Sequence, residues 1–305
     1  GKGGCDRIML KTRENRRYQI LCNTVLALIT VYMIFPFVLL LMSSITEENT
    51  LIMNGYSLFP QKFSLGAYQY IFQNGQKIFH AYGVTIFVTA AGTCINVLMS
   101  SMLAFGLSRK NLPFRRILTF YVFFTMLFNG GLVPSYIMYT GTFHIKNTIF
   151  AMLVPNLLMS GVNVLLVHTY FANSIPDALY EAAEIDGAGQ ARIYFQIALP
   201  LGKPILVTTG LFAALGYWND WTNGLYYVNQ ERYWGIQNLL NKMISDVQAL
   251  TSGLMSKQMA GMLSTMPSVS VRMAIAFVAM LPVLAVYPFL QKYFAEGIAM
   301  GAVKG

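Results

Sequence analysis

The sequence predicts an all-α integral membrane protein with six transmembrane helices and both termini in the cytoplasm. Three observations carry this expectation. Only 11% of the 305 residues are charged while 55% are hydrophobic, whereas an average soluble domain carries about 25% charged residues. A soluble fold so poor in charge would expose large apolar patches. Second, six apolar stretches reach the roughly 20 residues that a helix needs to cross hydrocarbon. Third, lysine and arginine collect in alternate connections between them, which is how membrane orientation is encoded.

The six stretches lie near 20–43, 81–107, 117–140, 148–171, 204–227 and 273–294. As helices they close their own backbone hydrogen bonds, which lipid demands. A basic tail, 1–19, precedes them, and 20–305 reads as one membrane domain. The tail holds Lys2, Arg7, Lys11, Arg13, Arg16 and Arg17. The connection after the second stretch holds Arg109, Lys110, Arg115 and Arg116. Arg192 and Lys203 lie in the connection 173–203, and Lys292 and Lys304 near the end of the chain. The other connections hold fewer basic residues over more length, so the positive-inside rule places 173–203 in the cytoplasm. The long connections 44–80 and 228–271 then lie outside. The second is polar and reads either as a plain exposed loop or as one that reaches a partner. The first apolar run is too long for a signal-peptide core and is expected to be retained.

Several function classes fall away. The net charge of +9 sits at the ends of apolar runs, so it reads as topology and not as a nucleic-acid footprint. Cys5, Cys22 and Cys94 have no ligand or disulfide spacing, and His80, His144 and His168 are far apart, so no metal site is expected. No Walker phosphate loop occurs, and no nucleophile is paired with a base, so no catalytic residues are expected.

The connection 173–203 is unlike the rest. It carries four carboxylates, Asp177, Glu181, Glu184 and Asp186, within "NSIPDALYEAAEIDGA". Ser174 and Asp177 fit a capping box, and Pro176 suits a first turn. Ile175, Ala178, Leu179, Ala182 and Ala183 recur at helical spacing. Gly187 stands where a helix would stop, and a second helical stretch, about 190–199, is expected to end before Pro200. Small alanines let another backbone approach, and carboxylates around them can pair with a basic partner. The alternative is an amphipathic helix on the lipid surface, but such helices are usually basic on the polar face.

At these residues the chain resembles permeases of binding-protein-dependent ABC importers. Their cytoplasmic signature is Glu-Ala-Ala, three residues, Gly, nine residues, Ile, one residue, Leu-Pro. Here Glu181, Ala182, Ala183, Gly187, Ile197, Leu199 and Pro200 fill every fixed position. "YPFLQKYFAEGIAMGAVKG" at the C-terminus and "WNDW" at 218–221 are similar to the carbohydrate type, specifically the second permease of the maltose-type pair. The resemblance covers about 80–300 well. It implies an oligosaccharide importer in a bacterial plasma membrane, surrounded by lipid. A second homologous permease, two copies of a cytoplasmic ATPase and an extracellular sugar-binding protein would be its partners. No cofactor is expected in this chain, since ATP and Mg belong to the ATPase subunits. It also implies that Glu181, Ala182, Ala183, Asp186 and Gly187 form the coupling helix that docks on an ATPase, and that 228–271 contains the loop reaching into the binding protein. A polyol or glycerol-phosphate-like solute is the alternative substrate, and a membrane scaffold with an acidic docking loop is the alternative class.

Polar residues inside apolar spans usually face a bundle interior. Asn129, Asn156, Asn163, Tyr217, Asn219 and Asp220 are therefore candidates for a substrate pathway, with Asn96 beside them. Helix-packing amides and an interfacial aromatic belt are the plainer reading, preferred for Trp218 and Trp221. No basic cluster lies within the spans, which argues mildly against an anionic substrate. Gly130-Gly131, Pro134, Pro155, Pro282 and Pro288 mark places where helices could break.

Overall fold

The computed structural model describes residues 13–73, 75–251 and 268–302. Lys2, Arg7, Lys11, Cys5, Lys304 and residues 252–267 of the connection 228–271 lie outside the described residues. Among the described residues the fold is all helical, apart from one isolated antiparallel bridge between Thr46 and Phe63. The chain divides into two compact units, 1–71 with 257–278, and 72–256 with 279–305.

The first unit begins with α1, Arg13–Ser44, whose apolar side chains from Tyr18 to Val38 are exposed. Such a face suits lipid or another apolar helix. After α1 come α2, Glu48–Asn54, and the start of α3, Gly66–Gln73. Ser44 closes the end of α1 by sharing a 2.8 Å hydrogen bond with Tyr68. The Glu48 carboxylate accepts from the amides of Val269 and Ser270 at 2.9 and 2.8 Å, and from the Ser270 hydroxyl. It thus caps the last helix, α14, Ser268–Ala302, supplying acceptors and a negative charge for its first amides. That helix is continuous through Pro282 and Pro288.

The second unit is arranged around α4, Gly75–Ser108, the 34-residue second span. It packs against α8, Gly161–Ser174, and α11, Lys203–Trp218. Small residues on α4 allow close approach. A Cβ on Gly92 would fall 2.4 Å from the Tyr217 ring, so this aromatic side chain seats directly on α4 backbone.

Three expected spans are not single helices, the fifth, 204–227, dividing into α11, which ends at Trp218, and a short helix over Thr222–Tyr227. The third is α5, Arg115–Leu127, followed by α6, Leu132–Thr142, bent by 108°. Gly130-Gly131 supplies the break. Gly131 has φ +85°, and its amide donates to Asn129 Oδ1 at 2.8 Å. The last turn of α6, Met138–Thr142, is a π-turn. The fourth stretch holds only the short α7, Phe150–Leu153, before α8 starts at Gly161. Between them stand buried Pro155, which has no amide to donate, and Asn156 in the left-handed region at φ +61°. Apolar periodicity cannot register such interruptions, because each piece is as hydrophobic as a whole helix.

A broken helix in an apolar medium leaves carbonyls without partners, and neighbouring side chains must satisfy them. Three do so here. Tyr217 donates to the Leu153 carbonyl at 2.9 Å, Asn223 to Pro155 at 3.0 Å and Asn96 to Leu157 at 2.8 Å. Alternate carbonyls of the interrupted segment are thus held from three directions.

Farther along, α9, Asp177–Ile185, and α10, Gln190–Leu201, fill the acidic connection. A bend of 83° at Gly202 leads from α10 into α11. Short α12, Thr222–Tyr227, and α13, Ile236–Thr251, complete the unit.

Candidate functional site

α9 is anchored through one buried face. Tyr180 is 2% exposed, and its ring meets Phe105 of α4 edge-on, with centroids 5.9 Å apart. Phe105 also packs on Tyr194 of α10, whose hydroxyl shares a 2.7 Å hydrogen bond with Ser101. Ile175, Phe171 and Ile193 close the same core, and Ala183 packs against it. Burial pushes the Tyr180 phenol up to about 12, so it stays neutral at physiological pH.

Two consecutive residues at the end of α4 clamp the two ends of α9. Lys110 pairs with Asp177 in the first turn, and Arg109 pairs with Glu184 in the last. The Arg109 guanidinium also lies 4.4 Å over the Tyr180 ring, a cation–π contact on a largely buried side chain. Gln190 of α10 donates to the same Glu184 oxygen at 2.9 Å. The hydrogen bond from Gln190, and then the pairing with Arg109, hold the Glu184 carboxyl below its ordinary value. Hydrogen bonding to Asp177 and its charge raise Lys110. Asp177 at the start of the helix also complements the helix dipole.

Gly187 ends α9 by a specific geometry. It takes φ +78°, while Ala188 donates to the Ala183 carbonyl at 2.9 Å and Gly187 to Glu184 at 3.0 Å. This is the Schellman pair of bonds, with glycine at the left-handed position. The distance from Ala183 to Gly187 is therefore set by helix termination. A Cβ at Gly187 would touch nothing within 4 Å, so the conformation, and not space, calls for glycine.

Sequence expectations need three corrections here. The capping box does not form, because Ser174 is the last residue of α8 and Pro176 takes the N-cap position without a side-chain cap. α10 does not end before Pro200 but runs to Leu201, with a π-turn over Tyr194–Ala198 widening the backbone ahead of the proline. Third, the carboxylates do not all point to a partner. Asp177 and Glu184 are bound within the chain, while Glu181 and Asp186 are exposed beside exposed Ala178, Leu179, Ala182 and Gly187. Ile185 is 87% exposed. Tyr180 and Ala183, three apart, turn inward, so the outward face is the opposite one.

Arg109, Lys110 and Tyr180 were not singled out by sequence reasoning. Arg109 and Lys110 counted only as topology charges. The signal was present as a basic pair at one span's end and carboxylates seven residues apart in another connection, which is two helical turns.

The pathway candidates separate by geometry. Asn163 is buried and donates to Asn96 at 3.1 Å, and Tyr217 is committed to the Leu153 carbonyl. Asp220 caps α12, its Oδ1 accepting from Thr222 and Asn223 amides at 3.0 and 3.2 Å, while its Oδ2 is buried without a partner. Trp218 is buried and donates to the Ala279 carbonyl. Asn129, Asn156 and Asn219 are exposed, Asn219 with its amide on the Leu215 carbonyl. The structure does not gather the six into one site. Among the described residues no group of His, Cys, Asp and Glu could hold a metal.

Residues 96–300 match the model of the family described as "Binding-protein-dependent transport system inner membrane component". The chain belongs to this family. Its members are permease subunits of ABC transporters, non-enzymatic components of the membrane. Among relatives, the chain is 36% identical to the "Polygalacturonan/rhamnogalacturonan transport system permease protein YtcP" of Bacillus subtilis, over 96% of this chain and all of that one. It is 33% identical to "Protein LplC" of the same species, over 97% and 98%. In structure it is similar to a chain of a bacterial ABC transporter involved in the import of the acidic polysaccharide alginate, with a TM-score of 0.79 and 27% identity, over 93% of this chain and 98% of that one. The matched segment contains α9 and both residues of its clamp.

Proposed function

We propose that this chain is one of two permease subunits of an ATP-driven importer that takes up an oligosaccharide delivered by an extracellular binding protein. It spans a bacterial plasma membrane six times with both termini in the cytoplasm. Three interrupted stretches, 115–142, 150–174 and 203–227, count as one span each. The relative's name and the structural neighbour support sugar over a polyol or glycerol phosphate, and uronate-bearing oligosaccharides are the first solutes to test. Asn129, Asn156 and Asn219 are the pathway candidates whose side chains are exposed, Asp220 supplies an unpartnered buried oxygen, and Asn163 and Tyr217 shape the wall.

α9 carries the mechanism. Its inner face is locked to α4 by Arg109, Lys110 and Tyr180, while its outer face offers Glu181, Ala182, Ile185, Asp186 and Gly187. A helix held this way acts as a lever. ATP-driven closure of two ATPase subunits would move α9, and the clamp would carry the movement into α4 and the core around it. ATP and Mg stay on those subunits.

The observation that supports this most is the division of the four carboxylates, two held inside and two presented outside with small residues between. The test is Gly187→Val. A β-branched residue in the left-handed region costs about 1–2 kcal/mol of local conformational energy. Uptake in cells should fall sharply while the protein still inserts. Undiminished uptake would favour a scaffold role. Affinity purification in mild detergent should recover a second permease, an ATPase and a solute-binding protein.

A further inference from the structure

A cavity of about 1020 Å³ opens beside the start of α5 and the middle of α8. Its walls hold Lys110, Arg115, Arg116 and His168, and no carboxylate. Neither Arg115 nor Arg116 forms an ion pair among the described residues. His168 Nε2 is buried without a hydrogen-bond partner. Lys110 is paired with Asp177, but the adjacent Arg115 and Arg116 guanidiniums have no counter-charge among the described residues, and an anion beside them would be favoured. The positive end of the α5 dipole adds to the field. The turn into α5 is itself strained, with Phe114 at φ +57°, and strain of this kind persists where surroundings hold it.

The remaining wall is apolar. Ile117, Phe120 and Phe123 run up α5 from the arginines, and Leu165 faces them from α8. Ile117 and Phe120 are both 64% exposed. Cations at one end of a hydrocarbon groove match a phosphodiester headgroup followed by acyl chains. An oligosaccharide would need amides or carboxylates for its hydroxyls, and the groove offers only Thr119 for that purpose. We infer that this cavity binds an anionic phospholipid, its phosphate at Arg115 and Arg116 and its acyl chains along Ile117, Phe120 and Phe123. Lys110 serves both the cavity and Asp177 of α9, so the lipid sits next to the clamp. The site depends on membrane embedding and not on which solute is carried.

Native mass spectrometry of the full-length permease, titrated in zwitterionic detergent with equal phosphatidylglycerol and phosphatidylcholine of matched chains, tests the inference. Preferential retention of phosphatidylglycerol is expected. Arg115→Gln combined with Arg116→Gln should reduce that preference about tenfold, and Arg115→Lys with Arg116→Lys should largely keep it, which separates charge from misfolding. Equal retention of the two lipids by the unaltered protein would overturn the inference, as would an undiminished preference in the glutamine variant. Displacement of phosphatidylglycerol by trigalacturonate would also overturn it, in favour of an acidic glycan at this site.

Discussion

The Ser108 end of α4 and its middle are held by opposite chemistry. At the end near Ser108 the partners are charged: Arg109 on Glu184 and Tyr180, and Lys110 on Asp177. Along the middle, where α4 faces α7 and α11, the partners are neutral. Tyr217, Asn223 and Asn96 donate to carbonyls of the broken segment 153–157, and Tyr217 also packs onto Gly92. The difference follows from solvent. Where water reaches, full charges cost little to expose, and they can trade an internal partner for an external one. Inside the hydrocarbon an unpaired charge is expensive, so freed carbonyls are met by amides and a phenol. The neutral middle is therefore a fixture, whereas the charged end can exchange partners.

Breaking the neutral middle should cost fold stability. Gly92→Val would drive a side chain into the Tyr217 ring, and overpacking of this kind costs about 1–3 kcal/mol. The expected result is the largest drop in melting temperature in detergent, with poor recovery from membranes. Tyr217→Phe leaves the Leu153 carbonyl buried and unpaired at a cost of roughly 1–2 kcal/mol. It should lower the melting temperature by less, without weakening recovery of the ATPase.

Breaking the charged end should spare the fold and disturb α9 alone. In Arg109→Ala, amide exchange over 177–186 should speed up by about tenfold, with the melting temperature nearly unchanged. Lys110→Gln should give a smaller change, roughly two- to threefold, because its pair with Asp177 is exposed. If the two variants had equal effects, the stacked and largely buried guanidinium would not be the stronger arm of the clamp.

The smallest effect expected is that of pH. Glu184 has a lowered folded value, so its contribution is present above the ordinary carboxylate value and is lost as pH falls through the lowered one. Lys110 has a raised value, so its contribution is present below the ordinary lysine value and is lost as pH rises through the raised one. Between about pH 6 and 9 both groups keep their charge. Exchange over α9, corrected for intrinsic rates, should be flat there and should rise only in acid or strong base.

Much of this was legible in the sequence, for identifiable reasons. Long uninterrupted apolar runs gave α1 and α4, since a helix is the only local way to satisfy their backbones in lipid. The Gly187 stop was readable because left-handed geometry selects glycine. The break at Gly130-Gly131 was marked, but its 108° angle was not, because a glycine pair permits a bend without setting its size. Pro155 was marked as a possible break, but the length of the interruption, from Leu153 to Gly161, was not, because the segment is as hydrophobic as a helix. The direction of the four carboxylates depended on Tyr180 turning inward under Phe105, a contact between residues 75 positions apart that no local pattern encodes. Asn163 and Tyr217 were visible as polar groups in apolar spans, but whether such a group meets a solute or a stray carbonyl depends on where the neighbouring helix breaks.

The most direct test of α9 as the docking element is a photo-crosslinking amino acid placed at Ala182 in the assembled importer, with Leu225 on α12 as the control. Illumination should give an ATPase adduct from position 182 and none from 225. An importer that transports normally yet yields no ATPase adduct at 182, or equal adducts at both positions, would contradict the role assigned to α9.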